Sequence, residues 1–420
     1  MNAPDLSRIA LDLPQADGSL ESFALSRPQS LPASASRTFN RIAYSAAHVV
    51  ADPLANIDPW IDASIDWDAT LAYRRHLWSL GLRVAEAMDT AQRGMGLDWP
   101  TSLALIARSI DAARDIDGAQ LASGAGTDHV APESVRSVDD VIRAYETQIA
   151  AIEKLGGRII LMASRALARV ARSPADYERV YDRVLSQVRE PVIIHWLGDM
   201  FDPALAGYWG NADTLPAMDT AVGVINAHAP KVDGVKISLL DKAKEIAMRR
   251  RLAPGVRMYT GDDFNYAELI AGDAQGHSDA LLGIFDAIAP VASAALGRLA
   301  AGDADAFHAL LAPTVPLSRL IFAAPTRFYK TGVVFLAWLN GHQAHFTMVG
   351  GQQGARSIVH LAQVFRLADR AGVLPIRCAL QRGCARCSCC TAWADAPYGK
   401  HGKLTASARA VRIADWYVTG

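Results

Sequence analysis

No cysteine precedes Cys378, so no disulfide can staple the body of this 420-residue chain, and the fold must rest on an ordinary buried core. Neither sign of charge dominates. Lys and Arg number 42 against 43 Asp and Glu, for a formal net charge of -1. That balance excludes the basic face expected of a nucleic-acid binder or of a protein held on anionic lipid. No apolar run reaches the roughly 18 residues a membrane-spanning helix needs. The N-terminus lacks the basic, then apolar, then small-residue order of a secretory signal, and a cytoplasmic location is the expectation. Lysine is also scarce: only eight of the 42 basic residues are lysine, the rest arginine. With 51% hydrophobic and 20% charged residues the chain suits one large domain with appendages, or two ordinary domains.

Residues 1–38 are rich in Ser, Pro, Ala and Asp with little apolar period, and read as an N-terminal extension that wraps the body. From there the pattern alternates. Strands are predicted at 41–50, 82–88, 118–124, 158–163, 191–196, 232–237, 256–260 and 278–283. The helices between them are predicted at 68–80, 99–115, 138–155, 174–189, 218–229 and 242–252, with a short one near Tyr266 and another at 290–300. Asp66-Trp67-Asp68 has the form of an N-cap. Eight strands alternating with helices point to an α/β fold, a (β/α)8 barrel at 39–300, rather than an open doubly wound sheet. A helical C-terminal region follows at 301–377. Within it FYKTGVVFLAWLNGH (328–342) is apolar enough to pack on the barrel or on another subunit.

All five cysteines fall in the last segment, 378–420, where composition changes abruptly. Cys384 and Cys387 form a C-x-x-C. One such pair without a second pair or histidines is a weak zinc signal, and a disordered or frame-shifted tail is the plainer expectation.

Lys236 stands inside the apolar run VDGVKISLL (232–240). An ammonium taken out of water is costly unless paired, and the usual response is a lowered pKa that leaves a nucleophilic amine at neutral pH. Such an amine forms Schiff bases, which arginine cannot. A strand-end lysine reaching back to solvent, or one in a structural ion pair, fits the same pattern.

In a (β/α)8 barrel functional groups gather at the carboxyl ends of the strands. Candidates there are His48 and Asp52, then Asp89, Thr90, Gln92 and Arg93, then Thr127, Asp128 and His129. Ser164 and Arg165 follow, then His195, Trp196 and Asp199, Lys236 and Ser238, Asp262 and Asp263, and Asp286. His195 closes the apolar strand PVII and is a proton shuttle by type, or a structural histidine bonded to a carbonyl. Arg93 and Arg165 suit an anionic substrate group, or a helix face. Gly94 and Gly96 permit a tight turn that presents N–H groups to an anion. Asp262 and Asp263 suit substrate hydroxyls, a divalent ion, or helix capping, the commonest use of such residues.

In order and spacing these segments resemble the dihydrodipicolinate synthase and N-acetylneuraminate lyase superfamily, and more narrowly its DUF993 branch, over about residues 40–340. VDGVKIS resembles the "GIK" strand, which implies the Schiff-base lysine at Lys236. VRMYTGDDF resembles the "SGDD" segment, GHSDALLGIFDAIAP resembles "GADGVISGLANVAP", and PVIIHW stands where the family has PVLLYN. Two departures carry consequences. His195 replaces the tyrosine that relays protons to the imine. The strand-two segment DTAQRGMG (89–96) replaces a G-T-T-G-E type that holds the carboxylate of a 2-oxo acid, leaving Thr90 part of that task.

The sequence therefore predicts a class I lyase, an aldolase or dehydratase, acting on a 2-oxo acid or keto-sugar derivative. Its catalytic residues are Lys236 and His195. Thr90, Arg93, Arg165, Ser238, Asp262 and Asp263 bind substrate. No cofactor or metal is called for, the partner is a small-molecule carbonyl compound, and the resemblance implies a homo-oligomer, a dimer or tetramer. The rival readings are a metal-dependent sugar isomerase or hydrolase using His48, His129, His195 and strand-end aspartates, and a non-catalytic metabolite sensor.

Overall fold

The computed structural model describes residues 10–26 and 38–374. The expectations for the cysteine-containing tail lie outside the described residues. The chain opens on a hairpin, β1 (Ala10–Pro14) against β2 (Leu20–Ala24). The sequence reading missed it, because the apolar alternation that makes it, Leu11 and Leu13, lasts only two steps. A five-residue connection with Gly18 at φ 83° reverses the chain, and Asp17 accepts from the Ser19 N–H at 2.9 Å. The hairpin buries Leu13 completely and packs Phe23 edge-on against Phe365 at 6.2 Å.

Eight parallel strands then close into a barrel in the order β10-β3-β4-β5-β6-β7-β8-β9. They are β3 (Ala43–Ala46), β4 (Arg83–Glu86), β5 (Leu121–Ala125), β6 (Arg158–Leu161), β7 (Val192–Leu197), β8 (Val232–Ser238), β9 (Arg257–Thr260) and β10 (Asp279–Leu282). The (β/α)8 architecture expected from the alternation is the one observed. Around it lie α1 (Trp67–Ser79), α2 (Trp99–Arg114), α3 (Val138–Lys154), α4 (Arg165–Val170), α5 (Pro174–Gln187), α6 (Thr214–Ala227), α7 (Lys242–Arg249), α8 (Tyr266–Ala271), α9 (Ile284–Ala287) and α10 (Ala289–Ala300). Asp66 caps α1 through the Ala69 N–H at 3.0 Å, as its position predicts. α6 starts four residues earlier than expected, since Asp213 caps it ahead of Pro216. α4, an extra turn-and-a-half after β6 capped by Ser164, was not anticipated.

Side chains alternate along the strands. Val84, Ile159, Ile194 and Val235 face the helices and join the large outer core, while Tyr44, Ala85, Ala122, Ile160, Ile193, Tyr259 and Leu281 fill the barrel interior. Gly234 points inward, and a Cβ there would come within 2.7 Å of the Tyr259 ring, so the glycine makes room for that ring. One buried ion pair pins α1 to β4: Arg74 donates to both Glu86 oxygens at 2.9 Å, and Ser109 donates to the same carboxylate at 2.6 Å.

The C-terminal helices α11 (Ala304–Leu311), α12 (Thr314–Ile321), α13 (Tyr329–Leu339) and α14 (Ile358–Arg370) follow the barrel. α13 is buried along almost its whole length, so the apolar stripe at 328–342 is core of this chain. Among the described residues no helix is long and apolar enough to cross a membrane.

Candidate active site

The strand parity that turns Val235 outward turns Lys236 into the barrel, near the carboxyl end of β8. Its side chain is 8% exposed and takes part in no hydrogen bond or ion pair among the described residues. Burial lowers its pKa, opposed by the Asp89 and Asp263 carboxylates. Space for the side chain comes from Gly261, just after β9: a Cβ there would lie 2.8 Å from the Lys236 Cε and closer still to the Ser238 hydroxyl. The glycine of the TGDD segment is thus a steric requirement of the lysine.

His195 pairs in register with Lys236 across β7 and β8. Its Nε2 lies 3.3 Å from the Ser238 hydroxyl, and its Nδ1 is buried without a partner. Burial, and then the neighbouring Lys236, push the imidazole well below its ordinary range, so it is neutral. Asp263 accepts from the Ile284 N–H at 2.8 Å. Burial pushes its carboxyl up to about 7, against the Ile284 N–H and Lys236. Asp262 turns the other way, accepting from the Phe264 and Asn265 N–H groups at 2.8 and 3.1 Å and from the Asn265 side chain at 2.8 Å. Its carboxylate holds the turn that leads into α8, bonding the backbone two and three residues on, ahead of the helix.

Thr90 shares a 2.7 Å hydrogen bond with the Tyr329 hydroxyl. Sequence reasoning missed Tyr329. It comes from α13, beyond the barrel, and only its place at the head of an apolar helix marked it. The ring stacks on Phe322 at 4.3 Å and meets Phe201 edge-on. Burial, then Asp89, raise its hydroxyl pKa well above normal, so it is a protonated donor. Its neighbour Lys330 is 3% exposed and donates to the Arg327 carbonyl at 3.0 Å and the Met95 sulfur at 3.2 Å. Burial lowers that ammonium to about 8.

A cavity of about 260 Å³ opens beside these residues, lined among others by Asp89, His195, Arg165, Asp202, Val130 and Leu205. Arg93 forms part of its wall, but every guanidinium nitrogen is engaged. It pairs bidentately with Asp128 at 2.8 and 2.9 Å, donates to the Gly124 carbonyl and to Gln148, and lies over the Trp99 ring. Arg93 is therefore a wall residue and not an open anion clamp. Arg165 stands at the rim, its side chain 45% exposed and its Nε 2.5 Å from Asp202. Gly96 serves packing: a Cβ there would meet Val349 at 2.9 Å, and Gln92 reaches the Val349 carbonyl at 2.7 Å, so the turn docks the loop after α13.

The remaining histidine candidates are dispersed. His48 bonds Asp286 through Nδ1 at 2.9 Å, and His129 accompanies Gln148. Among the described residues no group of three or more His, Cys, Asp or Glu is placed to hold a metal ion. The convergence that a metal-dependent mechanism needs is absent from this set.

The sequence model of the family described as "Protein of unknown function (DUF993)" matches residues 11–383. No curated protein matches the chain in sequence. Solved structures share the architecture. One is a prophage protein of E. coli K12 from the dihydrodipicolinic acid synthase family, in complex with pyruvate. It is 15% identical with a TM-score of 0.61, and the match covers 80% of this chain and 100% of that one. The dihydrodipicolinate synthase of Aquifex aeolicus is 12% identical with a TM-score of 0.59, covering 80% and 99%. That of Thermotoga maritima is 14% identical with a TM-score of 0.58, covering 80% and 100%. At such identities the likeness establishes the fold.

Proposed function

Because the chain belongs to the DUF993 family and folds as the barrel of the dihydrodipicolinate synthases, we propose that it is a class I lyase whose Lys236 forms an imine with a small carbonyl substrate, a 2-oxo acid or keto-sugar derivative. The observation that carries the reading is the state of Lys236: buried, without a hydrogen-bond or ion-pair partner, its pKa lowered, and beside a neutral imidazole. A structural lysine would be expected to hold a carboxylate directly.

In this mechanism the neutral amine adds to the carbonyl carbon and the carbinolamine loses water to give a protonated imine. In an aldolase, loss of a proton from the hydroxyl one carbon further along lets the intervening carbon-carbon bond break, its electron pair moving to the imine nitrogen to leave an enamine and an aldehyde; in a dehydratase, loss of a proton from the carbon next to the imine gives the enamine, which expels the neighbouring hydroxyl as water. Protonation at carbon and hydrolysis then release product and free Lys236. In this reading His195 takes and returns a proton at Nδ1, a role its lack of a partner there supports, and the Tyr329–Thr90 hydroxyl pair delivers one to the oxygen lost as water.

Hydrogen–deuterium exchange at the carbon next to the substrate carbonyl tests this by NMR. The enamine requires exchange in the wild-type protein and none in Lys236→Arg, which keeps the charge but forms no imine. Equal exchange in both would refute the reading.

A further inference from the structure

Two guanidinium groups line the cavity; that of Arg93 is fully engaged and that of Arg165 is not. Arg165 donates through Nε to the Asp202 carboxylate at 2.5 Å, and its two Nη nitrogens enter no hydrogen bond among the described residues. Asp202 is itself fixed, since its other oxygen accepts from the Ala204 N–H at 3.2 Å. The guanidinium is therefore held at Nε while its end-on pair of Nη donors stays uncommitted, and that pair is a fork that matches a carboxylate. Asp89, an acid of the same cavity without a hydrogen-bond or ion-pair partner among the described residues, is answered by the buried amines of Lys330 and Lys236, whose charged forms it favours.

Strand register sets the depth of the two ends of this cavity. Leu161 pairs with Ile194, so His195 stands level with Met162, and Arg165 follows three residues nearer the barrel mouth, about 10 Å of extended chain. Lys236 does not line the cavity, but His195, paired with it in register, does. Resting on the imine reading above, we infer that the substrate carries a carboxylate at the end remote from the reacting carbonyl, that Arg165 takes this group on its two Nη nitrogens, and that Asp202 is the positioning residue that holds the fork. The Arg165 side chain covers part of the distance down to His195, which leaves a spacer of a few carbon atoms between the two groups. The inference concerns the far end alone and holds equally for a 2-oxo acid head and a keto-sugar head. A phosphate fits less well, because its second charge calls for another open cation and the Asp202 carboxylate stands beside the fork.

Levulinate and its methyl ester make the comparison, since they share a ketone and a short spacer and differ in the charge at the far end. The full-length chain is incubated with each in the presence of cyanoborohydride, and labelling of Lys236 is followed by peptide mass, divided by labelling of surface lysines in the same sample. Levulinate should label Lys236 roughly ten-fold faster than the ester. Arg165→Gln should bring the two rates together by slowing levulinate alone, and Arg165→Lys, which keeps the charge and loses the fork, should restore only part of the preference. Equal rates in the wild-type protein, or an unchanged preference in a folded Arg165→Gln protein, overturn the role of Arg165 and leave the imine reading standing. Labelling of Lys236 by other carbonyl compounds but by neither of this pair overturns the spacing of the two groups. Labelling by no carbonyl compound overturns the imine reading and this proposal with it.

Discussion

Lys236 and His195 stand opposite one another in register on β8 and β7, both turned into the barrel, so a positive charge on either opposes one on the other. Both are buried, and burial depresses the charged form of each. In the proposed mechanism the pair sets a nucleophile and a proton acceptor side by side, the arrangement imine chemistry needs.

Lys236→Met should abolish turnover, a loss on the order of 10³-fold or more, while leaving the melting temperature equal or higher. Replacing a buried amine without a partner by an apolar chain of similar length removes a desolvation cost. Thermal unfolding beside kinetics checks both halves, and a marked drop in melting temperature would mean that the lysine is structural.

Tyr329→Phe keeps the stack on Phe322 and deletes only the hydroxyl that meets Thr90. The rate of the chemical step should fall roughly 10²-fold, with stability lowered by about 1 kcal/mol. Steady-state kinetics with urea unfolding separates the two effects.

Much of the barrel was legible because each strand is a short apolar run closed by turn residues, and Lys236 was legible because it breaks such a run. The N-terminal hairpin was not, since two buried leucines do not make a period. Tyr329 was hidden because its part in the site comes from the return of α13 to Thr90, a contact between residues 239 positions apart. Arg93 and Asp262 were read by residue type as substrate-binding groups. Their engagement by Asp128 and by the turn into α8 is decided by neighbours that no local pattern names.

Glu86→Ala should destabilise the chain by about 3–5 kcal/mol, because it strands the fully buried Arg74 guanidinium. Replacing both partners by apolar residues, Arg74→Met with Glu86→Leu, should recover most of that loss in urea unfolding.

Glu245 is buried between the Thr260 and Ser278 hydroxyls, and burial pushes its carboxyl up to about 8 from an ordinary 4.5. The unfolded chain releases this proton at lower pH than the folded one. The contribution of the protonated acid is therefore fully present below about pH 4.5, declines as pH rises, and is lost above about 8. Glu245→Gln should remove this part of the decline, as measured by unfolding free energy from pH 5 to 9, and a variant with an unaltered profile would contradict the assignment.

The most direct test of the central claim is borohydride trapping. The protein is incubated with a panel of hydroxyketones, keto sugars and 2-oxo acids, reduced, digested, and any adduct located by peptide mass spectrometry. A stable adduct on Lys236, absent from Lys236→Arg, is the result this account predicts. A folded protein that gains no adduct with any carbonyl, or gains one only on surface lysines such as Lys242, would contradict it.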